Sequence, residues 1–335
     1  MCGIMSTTKR RRDEDASDAP LTLHEAETSL RGAAALREAL EQHSYAIVAL
    51  DAADALAVRH CAEAGLAYFT KTPEATKRTH RHVFSDAGGA GLCGWNKPHA
   101  AKEVLRLRRG GPPLPIDAAA AFGVVERCAC AAWCAVASLV PEGIDLQAIG
   151  CRVGSSSGVV SSSPFDLMFY PNDAAAAPVP NSTPHVDSPG LVTVIPVAAT
   201  PGLRVRDRSG RWRDVEATGR PGEVIILVDA ALQALSKGAL EACTHEVAKA
   251  AEPRLSLVYE LRPAMDVGRA ILEGAWPPAS EEEDCPLFMT APPRGGVSQN
   301  EALSGLAALV DEDDDPPAKR RRTSVGEAQV ELALL

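Results

Sequence analysis

From residue 150 to residue 263 the chain is built of short runs rich in β-branched and aromatic residues: "DLMFYP", "GLVTVIPV", "GLRVRDRSGRW", "RPGEVIILVD" and "PRLSLVYELRP". Runs of this length with turn residues between them predict antiparallel strands, with Ser209-Gly210 and Pro221-Gly222 as hairpin turns. The preceding segment has a helical period. Leu21 to Glu41 consists of good helix formers, and "YAIVALD" reads as a short strand. Asp51 is placed to cap a helix through "AADALAVRHCAEAGLAYFT". The apolar "IDAAAAFGVVERCACAAWCAVASLV" predicts a buried helix stopped by Pro141. Helices first and short strands after them predict an α+β chain, a β-sandwich or jelly roll backed by an N-terminal helical layer.

This divides the chain into five segments. Thr7 to Pro20 and Asp311 to Glu327 are charged, low-complexity and nearly free of core-forming side chains, so the tails 1–20 and 311–335 are predicted to be disordered. Residues 21–149 form the helical region with its short strand, 150–265 the β core, and 266–310 a C-terminal segment expected to contribute to a substrate pocket. Each tail carries a basic cluster, Lys9 to Arg12 and Lys319 to Arg322, which suits an importin groove and favours the nucleus over the cytoplasm. Ser324, beside the second cluster, fits a basophilic kinase site.

The net charge of -10 argues against a nucleic-acid-binding body. No apolar run reads as a membrane span, and no signal-peptide core opens the chain. Cysteines scattered in apolar segments point to free thiols in a reducing compartment. Zinc on Cys130 and Cys134 would lack a compact fourth ligand. Met1-Cys2-Gly3-Ile4 resembles the start of glutamine amidotransferases, but the charged tail that follows cannot build their pocket.

One constellation carries chemistry. In a strand, residues i and i+2 share a face, so His185 and Asp187 are expected to point the same way. His245, the only histidine after Asp187, lies far enough on for several strands to run out and return. Two imidazoles and one carboxylate with open positions are the donor set of non-haem Fe(II) oxygenases. The same alternation in "RLSLVYEL" places Arg254, Ser256 and Val258 on one face and Leu255, Leu257, Tyr259 and Leu261 on the other. An arginine aimed into a cavity needs an anion, and a small carboxylate beside the Ser256 hydroxyl supplies one. Each residue alone is ordinary: His-x-Asp is common by chance, and a strand arginine is usually salt-bridged.

Taken in order, His-x-Asp, a distant histidine and then Arg-x-Ser resemble the iron(II)/2-oxoglutarate-dependent dioxygenases of the isopenicillin N synthase-like group, across roughly Tyr45 to Pro263. "GLAYFTKTPEATK", "GLCGW", "AAKEVLRL", "GEVIILVDAALQALSKGAL" and "THEV" are similar to that group's core order. The resemblance implies a double-stranded β-helix (jelly roll), with His185, Asp187 and His245 as iron ligands. It also implies Arg254, Ser256 and Tyr170 as 2-oxoglutarate contacts, and ascorbate as an accessory reductant. The implied activity is oxidation, by default hydroxylation, of a small organic substrate with release of succinate and CO₂. Two positions depart from the group's pattern: Met168 stands where it has asparagine, and Val228 where it has glycine. An oxidase of the same fold without 2-oxoglutarate and a non-catalytic nuclear scaffold are the competing readings. Substrate contacts are expected in "HVFSDAGGAGLCGWNKPH" and "MDVGRAILEGAWPP", where Trp95 and Trp276 could stack on a ligand or serve packing.

Overall fold

The computed structural model describes residues 20–86, 89–154, 159–172 and 180–276. The two basic clusters, Cys2, Ser324 and most of the expected C-terminal segment lie outside them.

In chain order the N-terminal part comprises α1 (Leu23–Thr28), α2 (Leu30–His43), β1 (Tyr45–Ala49), α3 (Ala52–Lys71) and α4 (Glu74–Arg78). It continues with β2 (His82–Asp86), β3 (Gly89–His99), β4 (Lys102–Arg108) and α5 (Ala119–Val136). The C-terminal part runs β5 (Pro164–Tyr170), β6 (Ser182–His185), β7 (Val192–Pro196), β8 (Leu203–Arg206), β9 (Trp212–Arg213), α6 (Val215–Thr218) and β10 (Glu223–Val228). It ends with α7 (Ala230–Leu235), β11 (His245–Val247), β12 (Arg254–Leu261) and α8 (Met265–Leu272).

Two antiparallel sheets result. The larger has the order β1-β10-β7-β12-β5-β4-β3-β2, and the smaller β6-β11-β8-β9. Helices α1, α2, α3 and α5 cover the outer face of the larger sheet, and the smaller sheet lies against its inner face. Strand β10 shows why this sequence chose that arrangement. Val224, Ile226 and Val228 enter the cluster on the helix side, while Ile225 and Leu227 enter the cluster between the sheets. A strand covered on both faces reads as a continuous apolar run, which is what "VIILV" is. Val228 therefore packs into the helix-side core, which accounts for a side chain where the resembling group has glycine.

Several expectations need correction. The helix over Leu21 to Glu41 is two helices. Ser29 is extended, and its side chain accepts a hydrogen bond from Gly32 N at 2.9 Å, so the second helix starts afresh. The hairpin β3–β4 was not anticipated in the N-terminal region, yet it extends the larger sheet. Pro221-Gly222 joins α6 to β10 and makes no hairpin; Ser209-Gly210 does turn β8 into β9. By length and composition, Ala119–Leu139 is apolar enough to cross a membrane, contrary to expectation. It is mostly buried and packs on α1, α2, α3, β7 and β12 as the central core helix. Asp51 caps α3 as expected, accepting from Asp54 N at 2.8 Å.

The Gly94-Trp95 step has a clear steric basis. Gly94 has φ +86°, and a Cβ on it would stand 1.6 Å from the His80 carbonyl oxygen. Its neighbour Trp95 is buried and donates from Nε1 to Glu103 Oε2 at 2.8 Å. Gly94→Ala is therefore expected to cost about 2–3 kcal/mol, measurable by urea unfolding.

Candidate metal centre

The two sheets enclose a pocket lined from the larger one by Lys102, Met168, Tyr170, Ile195, Arg254, Ser256 and Val258. The smaller sheet contributes Ser182, His185, Leu203, His245 and Val247, and Asp187 completes the lining.

Register brings the two histidines together. Strands β6 and β11 pair antiparallel with His185 directly opposite His245, and their ring centroids lie 4.3 Å apart. Asp187 arrives differently from expectation. It lies beyond the end of β6, so strand alternation does not set its direction. Its carbonyl accepts from Ala230 N at 3.1 Å, and its Oδ2 accepts from the Thr193 hydroxyl at 2.9 Å. Both histidine Nε2 atoms then stand 3.5 Å from Asp187 carboxylate oxygens. One ligand atom from each of the three residues lies within 4.8 Å of the others. Among the described residues this is the one such cluster of three or more donors. Cys128, Cys130 and Cys134 do not form one, and burial pushes the Cys128 thiol up to about 12.

The ring tautomers follow from the backbone. His185 Nδ1 is 2.7 Å from the Thr183 carbonyl oxygen, and His245 Nδ1 is 3.1 Å from that of Cys243. A carbonyl only accepts, so each Nδ1 carries a proton and each ring turns its Nε2 to the centre, where a metal would take the place of any second proton. This is the outer support that metal-ligating histidines need. Burial pushes His245 down towards the neutral form. Burial would raise the Asp187 carboxyl, but His245, His185 and Thr193 hold it well below the usual range.

Behind Asp187 lies a second acid. Thr193 Oγ1 is 2.9 Å from Asp187 Oδ2 and also 2.9 Å from Asp229 Oδ2. A hydroxyl has one proton to give, so a protonated carboxyl must supply the other contact. Burial raises Asp229 well above the ordinary carboxylate value, and the charges of Asp187 and Glu260 raise it further, so Asp229 is that acid. Gly190 makes room for the arrangement: a Cβ there would meet Asp229 Oδ2 at 2.2 Å and Glu260 Oε1 at 2.6 Å. A carboxyl raised on folding favours the folded state less as pH climbs above its unfolded value of about 4. Asp229→Asn removes this loss. Its melting temperature relative to wild type is expected to improve as pH rises above about 4, in parallel thermal scans of the metal-free proteins.

Arg254, expected to reach the pocket, does so from a fully buried position. Its Nη2 donates to Glu216 Oε1 and Oε2, both at 2.9 Å. Glu216 also accepts from Gly202 N at 2.7 Å and Leu203 N at 2.8 Å. Arg254 Nε and Nη1 are buried without a hydrogen-bond partner. Nε faces the Gly202 backbone, where a Cβ would approach to 2.8 Å. Nη1 is thus a buried cationic donor on a pocket-lining residue, and it fits an incoming carboxylate.

Ser256 and Val258 line the pocket with Arg254, while Leu257, Tyr259 and Leu261 enter the helix-side core, as alternation required. Tyr170 stands opposite Arg254, and Met168 opposite Ser256, in the β5–β12 register. Tyr170 Oη lies 3.6 Å from Met168 Sδ, so the methionine replaces an amide with a weak acceptor beside the phenol. Trp95 and Trp276 do not line this pocket; both pack against core residues. Reading the sequence missed Glu216, Thr193, Asp229 and Lys102 as pocket residues or their supports. Glu216 sits in a four-residue helix with no pattern to mark it.

Residues 163–263 match the family model described as the 2OG-Fe(II) oxygenase superfamily, a span that contains the three metal-binding candidates and Arg254. The chain carries a 2OG-Fe(II) oxygenase domain. Among solved structures it is similar to the rice dioxygenase for auxin oxidation, at 19% identity and TM-score 0.54, covering 73% of this chain and 83% of that one. It is also similar to full-length Neurospora crassa T7H in complex with alpha-KG and 5-formyluracil, at 17% identity and TM-score 0.52, covering 70% and 79%. These likenesses show the fold, a jelly roll with helices against one sheet. No curated protein sequence matches the chain. The 2OG-Fe(II) oxygenase domain makes the protein an Fe(II)/2-oxoglutarate-dependent dioxygenase with Fe(II) and 2-oxoglutarate as its cofactor pair, and the His-Asp-His cluster fits such an ion.

Proposed function

We propose that this dioxygenase hydroxylates a small organic substrate with O₂, releasing succinate and CO₂, and that His185, Asp187 and His245 hold its iron. The observation that carries this reading is one pocket that joins the three donors to a buried arginine whose Nη1 has no protein partner. Arg254 binds the distal carboxylate of 2-oxoglutarate, with Ser256 and Tyr170 beside it. Fe(II) with 2-oxoglutarate and O₂ supplies the oxidising chemistry.

The protein's share is orientation and exclusion of water. Thr183 and Cys243 carbonyls fix the two imidazoles, Thr193 and Ala230 fix Asp187, and Glu216 fixes the guanidinium. Leu203, Ile195, Val247 and Val258 give the pocket its apolar wall. The test is incubation of the iron-loaded protein with 2-oxoglutarate, O₂ and a metabolite mixture, followed by mass spectrometry. One metabolite gaining a single oxygen, in step with succinate, is the expected result. Succinate without any oxidised metabolite, or no succinate at all, would overturn the reading.

A further inference from the structure

We propose that Lys102 is a second cation for the distal carboxylate of 2-oxoglutarate, restoring the positive charge that Glu216 takes from Arg254. The inference rests on the cofactor-pocket reading above and adds a residue to it.

Strand register aligns three pocket residues. Tyr170 on β5 is the direct partner of Arg254 on β12. On the other side of β5, Glu103 is the partner of Phe169, which sets Lys102, one step before it on β4, opposite Tyr170. Directly paired residues share a face, and two strand spacings put the Lys102 and Arg254 backbones roughly 10 Å apart. Both side chains are long enough to converge on a group lying over Tyr170. Lys102 already leans that way: its Nζ lies 5.8 Å from the centre of the Tyr170 ring.

The charges of the pocket call for it. Glu216 engages the guanidinium of Arg254 with both carboxylate oxygens, and neither side chain is exposed. That pair is neutral as a unit. A dicarboxylate and Asp187 set against a divalent ion leave one negative charge in excess, in surroundings where an uncompensated charge is costly. Lys102 balances it. The neighbouring acids are already engaged, since Glu103 accepts from Lys77 at 2.8 Å and from Trp95 at 2.8 Å. Among the described residues no acid forms an ion pair with the Lys102 ammonium, which lies over the Tyr170 ring and acts through its charge on His185 and His99.

The test is calorimetric binding of 2-oxoglutarate, and of 2-oxopentanoate, to the Mn(II)-loaded protein without oxygen turnover. The second probe keeps the keto acid end and lacks the distal carboxylate. Lys102→Met is expected to weaken 2-oxoglutarate about 10- to 100-fold, the loss of one charged hydrogen bond, and to leave 2-oxopentanoate unchanged. Lys102→Arg should recover most of the loss. Adding Glu216→Gln to Lys102→Met should also recover part of it, by returning charge to Arg254. Unchanged 2-oxoglutarate affinity in Lys102→Met would overturn the proposal, and so would equal weakening of both probes. If wild type binds neither probe, it is the cofactor-pocket reading that fails.

Discussion

Arg254→Ala is expected to lose 2-oxoglutarate binding and about 3–5 kcal/mol of folding stability together, because the substitution strips one partner from a buried ion pair. Arg254 and Glu216 are fully enclosed, and Glu216 would keep only its backbone donors, Gly202 and Leu203 among them. The two losses can be separated. Arg254→Met combined with Glu216→Leu removes both charges and should regain most of the stability, since a buried pair is often no better than apolar side chains of similar volume. The double variant should still fail to bind 2-oxoglutarate. Denaturant unfolding and calorimetric titration on the same samples provide both readouts. A double variant that binds the cosubstrate normally would show that Arg254 serves the fold alone.

His245→Ala is expected to remove turnover by at least about a thousandfold, because a missing donor takes several kcal/mol of metal-centred stabilisation and each 1.4 kcal/mol or so is tenfold. Dialysed protein should also lose its iron. His245 is the most enclosed of the three donors, 5% exposed, and its register partner His185 would remain with Asp187 alone. Metal content measured beside succinate formation distinguishes lost binding from lost chemistry. Full iron occupancy in His245→Ala would remove it from the ligand set.

Much of this architecture was legible in the sequence where side-chain pattern and burial agree. Strand β12 alternates as "RLSLVYEL" requires, Arg254, Ser256 and Val258 to the pocket and Leu257, Tyr259 and Leu261 to the helices. The three metal-binding candidates were legible as residue types in order. The reason given for pairing His185 with Asp187 was incomplete, however. The strand ends at His185, and a hydroxyl and a backbone amide aim the aspartate from outside it.

Strand β4 escaped notice for a physical reason. Its inner face carries Lys102, Arg106 and Arg108, and Arg106 is neutralised by Asp166 at 2.7 Å across the strand pair. The run Leu105-Arg106-Leu107-Arg108 does alternate, but its arginines read locally as a solvent face, and the partners that let them be buried exist only in the folded sheet. Glu216 and Thr193 are hidden for a related reason, since their roles exist only through contacts set by long-range register. No local pattern encodes that Glu216 will meet Arg254.

The most direct measurement is the anaerobic visible spectrum of the metal-free protein as Fe(II) and then 2-oxoglutarate are added, with His245→Ala and Arg254→Ala alongside. A weak charge-transfer band that needs both additions, is absent without His245 and fades without Arg254 is the predicted result. An unchanged band in both variants would contradict the assignment of this pocket as the iron and 2-oxoglutarate site.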